Sequence, residues 1–257
     1  MVRIINKSGI GRTDNRSKAE IQAQNEQKKF FDNFKKKFSL DNLNETLLFS
    51  SRYSITRIIY YNEIYKLILN KPGVIMEFGN EYGGVLALLC KLRGIYEPYN
   101  YSRKVIGFDT FSGFTKKLTS DEKKLKWKQG DLSVPKNYEK YLEQLLNHQE
   151  KFSPVSHKKK FELVKGDATK TLPAYIKKHK ETLISLAIFD MDVYAPTKSC
   201  LKNLLPRLYK GSVLMFDQLN CPDFPGETLA LLEAMNIKNL KLKYFHGQSE
   251  CSYVVID

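Results

Sequence analysis

Five short apolar runs, each followed by a helical pattern, constrain this chain more than any other feature. They are Gly73–Phe78 (GVIMEF), Lys104–Asp109 (KVIGFD), Phe161–Lys165 (FELVK), Ser185–Asp190 (SLAIFD) and Gly211–Asp217 (GSVLMFD). Short apolar runs bounded by turn residues read as buried strands. The spacing predicts helices over Gly83–Leu92, Thr171–His179, Pro196–Tyr209 and Gly226–Ala234, and closing strands at Leu242–His246 and Tyr253–Ile256. Strands alternating with helices imply crossover connections, so the expected class is α/β, a mainly parallel sheet with helices on both faces.

Upstream, ITRIIYYNEIYKLIL from Ile55 has helical spacing and stops at Asn70, before the breaker Lys71-Pro72-Gly73. Lys18–Leu40 reads as another helix, with Phe30, Phe31, Phe34 and Phe38 near helical spacing. Residues 1–50 are therefore expected to form a helical arm or lid, and residues 51–257 the main domain, interrupted by a basic insertion at 115–160.

Charge and cysteines narrow the function classes. Lys and Arg number 42 against 28 Asp and Glu, a net +14. Residues 1–60 hold 12 basic and 6 acidic residues, and residues 115–165 hold 13 and 7. Such a field attracts an anionic substrate, a nucleic acid or a membrane surface, or simply solvates the chain. No apolar run approaches the roughly 18 residues of a membrane span, and the first twenty residues lack the apolar stretch of a secretory signal. Cys90, Cys200, Cys221 and Cys251 form no CxxC pair, so a reducing, cytoplasmic setting is expected.

Ligands of open α/β sheets sit beyond the carboxyl ends of the strands, and here those ends carry acids. Glu77, Asp109, Asp190 and Asp217 lie in or beside four of them, and Asp167 follows the third strand. The first strand runs into Glu77-Phe78-Gly79-Asn80-Glu81-Tyr82-Gly83-Gly84. Its glycines permit a tight turn and close approach of a ligand to backbone N–H groups. The loop is not GxGxxG, and Glu77 and Glu81 beside it suit a ligand with a positive amino group rather than a pyrophosphate. S-adenosylmethionine, with an α-ammonium and a sulfonium, fits that description. Asp109 is expected to accept from its ribose hydroxyls, although it lies 26 positions beyond Gly83 where about 20 is usual. Asp167 and the Ala168 backbone are expected at the adenine. Helix capping is the structural alternative for Asp109 and Asp167.

At the reacting end, Asp190 and Asp192 lie in Phe189-Asp190-Met191-Asp192-Val193-Tyr194, and Asp217 and Gln218 in Phe216-Asp217-Gln218-Leu219-Asn220. If these two strands are neighbours, Asp190 and Asp217 could bridge a hard cation such as Mg2+, which would lower the pKa of a substrate hydroxyl. Without a metal the same aspartates would cap helices or orient a sugar. Of the four histidines only His246 falls near the rim, and a surface position suits it better.

These motifs together resemble class I S-adenosylmethionine-dependent methyltransferases, and more narrowly the macrocin O-methyltransferase-like group that acts on sugars. The matching segments are Pro72-Gly73 leading to Glu77-Phe78-Gly79, Gly83-Gly84, Gly107-Phe108-Asp109-Thr110-Phe111-Ser112-Gly113-Phe114, Gly166-Asp167 with Thr171-Leu172-Pro173, Asp190-Met191-Asp192-Val193-Tyr194 with Pro196-Thr197, and Gly211 to Asp217. The resemblance covers about residues 52–257 and implies a Rossmann-like, seven-stranded sheet in the order 3-2-1-4-5-7-6, the last strand antiparallel. It adds Thr110 and Phe111 to the cofactor residues Glu77, Gly79, Glu81, Gly83, Asp109, Asp167, Ala168 and Asp190. It places Asp190 and Asp192 at the reaction, and Mg2+ on Asp190, Asp217 and Gln218. Gln218 stands where the family often has aspartate, which weakens the metal expectation.

The implied activity is methyl transfer from S-adenosylmethionine to a sugar hydroxyl, on a small sugar or sugar nucleotide. Non-sugar hydroxyls, RNA and a non-catalytic binding role are the alternatives. A nucleic-acid partner is disfavoured by the absence of an NPPY-like motif or a separate RNA-binding module; a homo-oligomer is admitted. The lysine-rich insertion is expected to fold over the pocket, with Lys123, Lys124, Lys126 and Lys128 meeting substrate phosphates and Trp127 and Tyr138 free to stack.

Overall fold

The computed structural model describes residues 2–5, 11–14, 17–37, 47–247 and 250–257. An antiparallel hairpin, β1 (Val2–Ile5) and β2 (Gly11–Asp14), precedes helix α1 (Lys18–Lys37). The hairpin was not foreseen in the expected helical arm; α1 was, and its expected last residues, 38–40, lie outside the described residues.

The main domain opens with α2 (Arg52–Lys66), capped by the Ser51 hydroxyl, which accepts from the Ser54 N–H at 3.0 Å. Then come β3 (Val74–Phe78), α3 (Gly84–Tyr96), β4 (Val105–Asp109), α4 (Ser120–Lys124), α5 (Tyr138–Glu150), β5 (Phe161–Lys165), α6 (Ala168–Lys178), β6 (Ile184–Phe189), α7 (Tyr194–Leu204), β7 (Val213–Phe216), α8 (Gly226–Ala234), β8 (Lys243–Tyr244) and β9 (Ser252–Val255). The sheet order is β5-β4-β3-β6-β7-β9-β8. Counted from β3 this is the expected 3-2-1-4-5-7-6. β3 to β7 are parallel, and β9 runs antiparallel to both β7 and β8.

Several boundaries differ from expectation for local reasons. α6 begins three residues before Thr171, because Asp167 caps it by accepting from the Thr169 N–H at 2.9 Å. α7 stops at Leu204, and the chain turns through a 3-10 segment around Pro206, which cannot continue the backbone ladder. α5, inside the basic insertion, was not foreseen; Leu142 and Leu146 lie one turn apart and are buried, anchoring it to the core.

Side-chain alternation along each strand separates two cores. Ile75, Leu186, Ile188, Val213 and Met215 pack under α2, α3 and α5, together with Tyr61, Ile64, Leu89 and Leu142. Met76, Phe78, Phe108, Phe189 and Phe216 point the other way, against Leu172, Leu201 and Leu231 of α6, α7 and α8. Four phenylalanines thus form one row across the sheet. Phe108–Phe78, Phe78–Phe189 and Phe189–Phe216 are register partners, with stacked rings 5.0, 5.2 and 5.1 Å apart. The row levels the strand ends. The residues just beyond it are Asp109, Gly79, Asp190 and Asp217, and alternation turns them toward the α2 and α3 face. Stacked pairs add about 0.5–1.5 kcal/mol beyond burial. Phe189→Leu loses two such pairs and some buried volume and should lower stability by about 1–3 kcal/mol, read as a shift in urea midpoint with unchanged slope.

Candidate active site

A cavity of about 660 Å³ opens at the carboxyl ends of the parallel strands, within the range of small-molecule sites. Its walls include Glu77, Gly79, Asn80 and Glu81 from the β3–α3 loop, Asp109 and Thr110 after β4, Asp167 and Ala168 before α6, Asp190 and Asp192 after β6, and Asp217 and Gln218 after β7. All but two of the expected site residues therefore meet in one place. The exceptions are Gly83 and Phe111, which do not line the cavity. Gly83 adopts a left-handed φ of 74° at the start of α3, where a Cβ would meet the Leu142 side chain at 2.6 Å. Phe111 is 6% exposed and packs into the core under α2 and α3.

The loops are locked by short contacts. Gly79 lets the first loop pass against the sixth strand: a Cβ there would lie 1.8 Å from the Asp190 carbonyl oxygen. Asp109 Oδ2 accepts from the Asn80 and Glu81 N–H groups at 2.6 and 2.9 Å, and Oδ1 accepts from the Phe111 N–H at 2.5 Å. Three of its roughly four acceptor positions are thus engaged by backbone. The capping alternative is realised at Asp167, while at Asp109 the carboxylate ties two loops together.

Glu77 is buried at the cavity base, which pushes its carboxyl up to about 8, with Asp109 adding repulsion. Asp190 is held well above the carboxylate range, by desolvation first and then by Asp217 and Asp192. Glu227, at the start of α8, is fully buried, and burial with Asp192 and Asp217 raises it likewise. Its two oxygens accept from the Met191 N–H at 3.2 Å and the Gln218 N–H at 3.1 Å, joining the loops that carry the catalytic candidates.

The residue that sequence reading missed is Arg57. It projects from α2 and donates to Asp217 Oδ1 at 3.1 Å, while its other terminal nitrogen lies 3.7 Å from Asp190 Oδ2. Burial works against its charge, but Asp217, Tyr61 and Asp190 outweigh this and hold its pKa above the usual value. A signal existed: Arg57, Tyr61, Ile64 and Ile68 form one helical stripe, and the last three are core residues, so an arginine there faces the sheet.

Asp190, Asp217 and Gln218 do not fit the expected Mg2+. The guanidinium already sits against both carboxylates. Gln218 turns its amide nitrogen, not its oxygen, to Asp217 Oδ2 at 3.0 Å, as it must beside an acceptor. Among the described residues no group of three acidic, histidine or cysteine side chains is placed to hold a metal ion.

The insertion also departs from expectation. Trp127 is not free to stack on a ligand; it is 3% exposed, its ring 5.2 Å from both Phe114 and Phe224. Lys123, Lys124, Lys126 and Lys128 are exposed and do not line the cavity. Tyr138 donates to the Tyr82 carbonyl at 3.0 Å. The lysine that reaches the rim is Lys117, 3.0 Å from Thr169 Oγ1 and 3.5 Å from Asp167 Oδ2. Glu122 fastens the insertion to α7 by accepting from the Tyr194 N–H at 2.6 Å. His246 is exposed, as expected. No described helix is long and apolar enough to cross a membrane.

A sheet in this order, with a glycine turn after its first strand and acids along one edge, defines a class I S-adenosylmethionine-dependent methyltransferase. No family model and no curated protein matches the chain. Among solved structures it is similar to CalS11, described as a calicheamicin methyltransferase, with 33% identity over 94% of each chain and a TM-score of 0.85. Apo CalS11, described as a TDP-rhamnose 3'-O-methyltransferase, matches at 32% identity over 94% of this chain and 96% of that one, TM-score 0.79. The O-methyltransferase NovP, at 18% identity over 79% and 80% with a TM-score of 0.62, shares the fold. The chain belongs to the sugar O-methyltransferase group of this family, and its methyl donor is S-adenosylmethionine.

Proposed function

We propose that this enzyme methylates a hydroxyl of a nucleotide-linked sugar, with Asp190 as the base. The observation that carries the reading is a pair of buried polar atoms with no partner, Glu77 Oε2 and Gln218 Oε1. Both residues line the cavity. Buried polar atoms are almost always satisfied, so a polar ligand running from the glycine loop to the end of β7 accounts for them.

The donor's α-ammonium lies at Glu77 and Glu81, beside Gly79. Its ribose reaches the free acceptor position of Asp109 near Thr110, and its adenine lies at Asp167 and Ala168. Asp192 orients the acceptor. The sugar oxygen attacks the methyl carbon in line, the C–S bond breaks with its electron pair going to sulfur, and the hydroxyl proton passes to Asp190. Magnesium is left out of this scheme because Arg57 holds both carboxylates it would need. The likeness to CalS11 supports a sugar nucleotide as acceptor, destined for a surface glycan or glycosylated metabolite. Mass spectrometry on a panel of nucleoside-diphosphate sugars, free glycosides and RNA tests this. Transfer to glycosides or RNA but to no sugar nucleotide overturns the acceptor.

Glu77 gives the donor site a pH dependence. Between its ordinary 4.5 and about 8 the apo protein holds a proton that the unfolded chain has released, so folded stability falls as pH rises through that window. A bound ammonium favours the ionised carboxylate. Donor binding should therefore expel a proton below pH 8 and tighten by up to about tenfold per pH unit, levelling off above. Calorimetry in two buffers of different ionisation enthalpy reads the released proton. Glu77→Gln should abolish that release; release unchanged in the variant would remove Glu77 from the ammonium site.

A further inference from the structure

Arg57 reaches the reacting end from outside the strand-end loops that carry the acids. Both terminal nitrogens of its guanidinium are engaged: Asp217 Oδ1 at 3.1 Å, Tyr61 Oη at 3.2 Å, Tyr53 Oη at 3.4 Å and Asp190 Oδ2 at 3.7 Å. The Arg57 and Asp190 side chains are 21% and 26% exposed, and Tyr61 is fully buried. Asp217 also accepts from Gln218 Nε2 at 3.0 Å and from Cys251 Sγ at 3.3 Å.

Resting on Asp190 as the base, we infer that Arg57 is a positioning residue supplying the fixed positive charge of this site, so that methyl transfer needs no divalent cation between Asp190 and Asp217. Two neighbouring carboxylates in a partly desolvated site need a counter-ion. The guanidinium provides one that cannot be deprotonated, and its planar fork reaches both acids. A divalent ion would have to displace that fork and then lie beside it, like charge against like charge. The third expected ligand is a neutral amide with its nitrogen on Asp217, so the remaining donor set is poor in charge. The arrangement sets a fixed positive charge 3.7 Å from Asp190 Oδ2, beside a residue that lines the cavity.

The test uses the full chain. Methyl transfer is measured after exhaustive dialysis against EDTA and again with added Mg2+, and Mn2+ binding is followed by electron paramagnetic resonance. Chelation and re-addition should each change kcat by less than about twofold, with no stoichiometric Mn2+ site. Arg57→Met should lower kcat by about 100-fold, the scale of a misplaced catalytic group. Arg57→Lys should recover part of the loss. Arg57→Met should also create Mn2+ binding at the released carboxylates, which Asp217→Asn in the same background removes. Loss of wild-type activity on chelation with rescue by Mg2+, stoichiometric Mn2+ on the wild type, or wild-type kcat in Arg57→Met overturns the inference. If Arg57→Met does not fold, the wild-type chelation and resonance measurements decide alone. Calorimetry with S-adenosylhomocysteine runs alongside: its failure strikes the donor site, whereas the Mn2+ result reads the hold of Arg57 on the carboxylates whatever the donor does.

Discussion

Asp190→Asn is expected to lower kcat by about 10²–10⁴-fold, the usual worth of a positioned general base, while the folded protein still binds S-adenosylhomocysteine. Asparagine keeps the shape of the side chain and its place at the end of β6. It removes the oxygen proposed to take the proton. It also removes one of the acids crowded at this edge, where Asp217 and Asp192 push Asp190 upward. The variant should therefore melt no lower than the wild type, which separates lost chemistry from lost structure. The backbone is insulated from the change, because the Asp190 N–H donates to the Phe78 carbonyl at 2.8 Å. Activity is compared at saturating donor and acceptor, so that weakened binding does not masquerade as lost catalysis. A kcat within tenfold of wild type would move the base elsewhere on this edge, with Asp192 the next acid to test.

The acidic edge was legible in the sequence because two local rules coincide in it. Each parallel strand is a short apolar run, and in β4, β6 and β7 a phenylalanine precedes the acid; register then stacks the rings and aligns the acids without further information. Asp167 was legible both as a site residue and as a helix cap, and in the structure the cap holds while the residue lines the cavity. Arg57 was not legible at that level. Its contact with Asp217 spans 160 positions; the stripe it shares with Tyr61 and Ile64 turns it toward the sheet, but nothing local names the acid it meets until the helix is docked. Trp127 misled for the same reason in reverse. A tryptophan among lysines suggests an exposed platform, but Phe114 and Phe224, on different segments, bury it. Gly83 and Phe111 matched a motif, and in the structure the first takes a left-handed turn at the start of α3 while the second packs into the core.

Arg103→Met is expected to destabilise the protein by about 3–5 kcal/mol, the scale of breaking a buried ion pair by removing one partner. Against a typical total of about 5–15 kcal/mol, that is enough to unfold much of the chain on modest heating. Arg103 is 2% exposed. It donates to the carbonyls of Ile68, Lys71 and Gly73 at 3.1, 2.6 and 2.7 Å, to Ser185 Oγ at 2.7 Å and to both oxygens of Glu97 at 2.9 and 3.1 Å. It thus binds the turns that follow α2 to the starts of β3 and β6. Since α2 carries Arg57, this one side chain also anchors the helix from which Arg57 reaches Asp217. Methionine fills much of the space but removes all of these hydrogen bonds and the counter-charge of Glu97, which keeps the Tyr65 hydroxyl and the Asn100 amide as donors, so the cost lies in the lost polar contacts rather than in packing. Two comparisons make the argument sharp. Arg103→Lys should recover less than half of the loss, because three donors on a flexible stem cannot serve all of these acceptors. Arg103→Met combined with Glu97→Leu should be more stable than Arg103→Met alone, since the second change removes a largely buried carboxylate that has lost its counter-charge. Urea unfolding at constant slope measures all three. If the double variant were instead less stable than the single one by the full cost of Glu97→Leu, the unpaired carboxylate would not be the source of the loss.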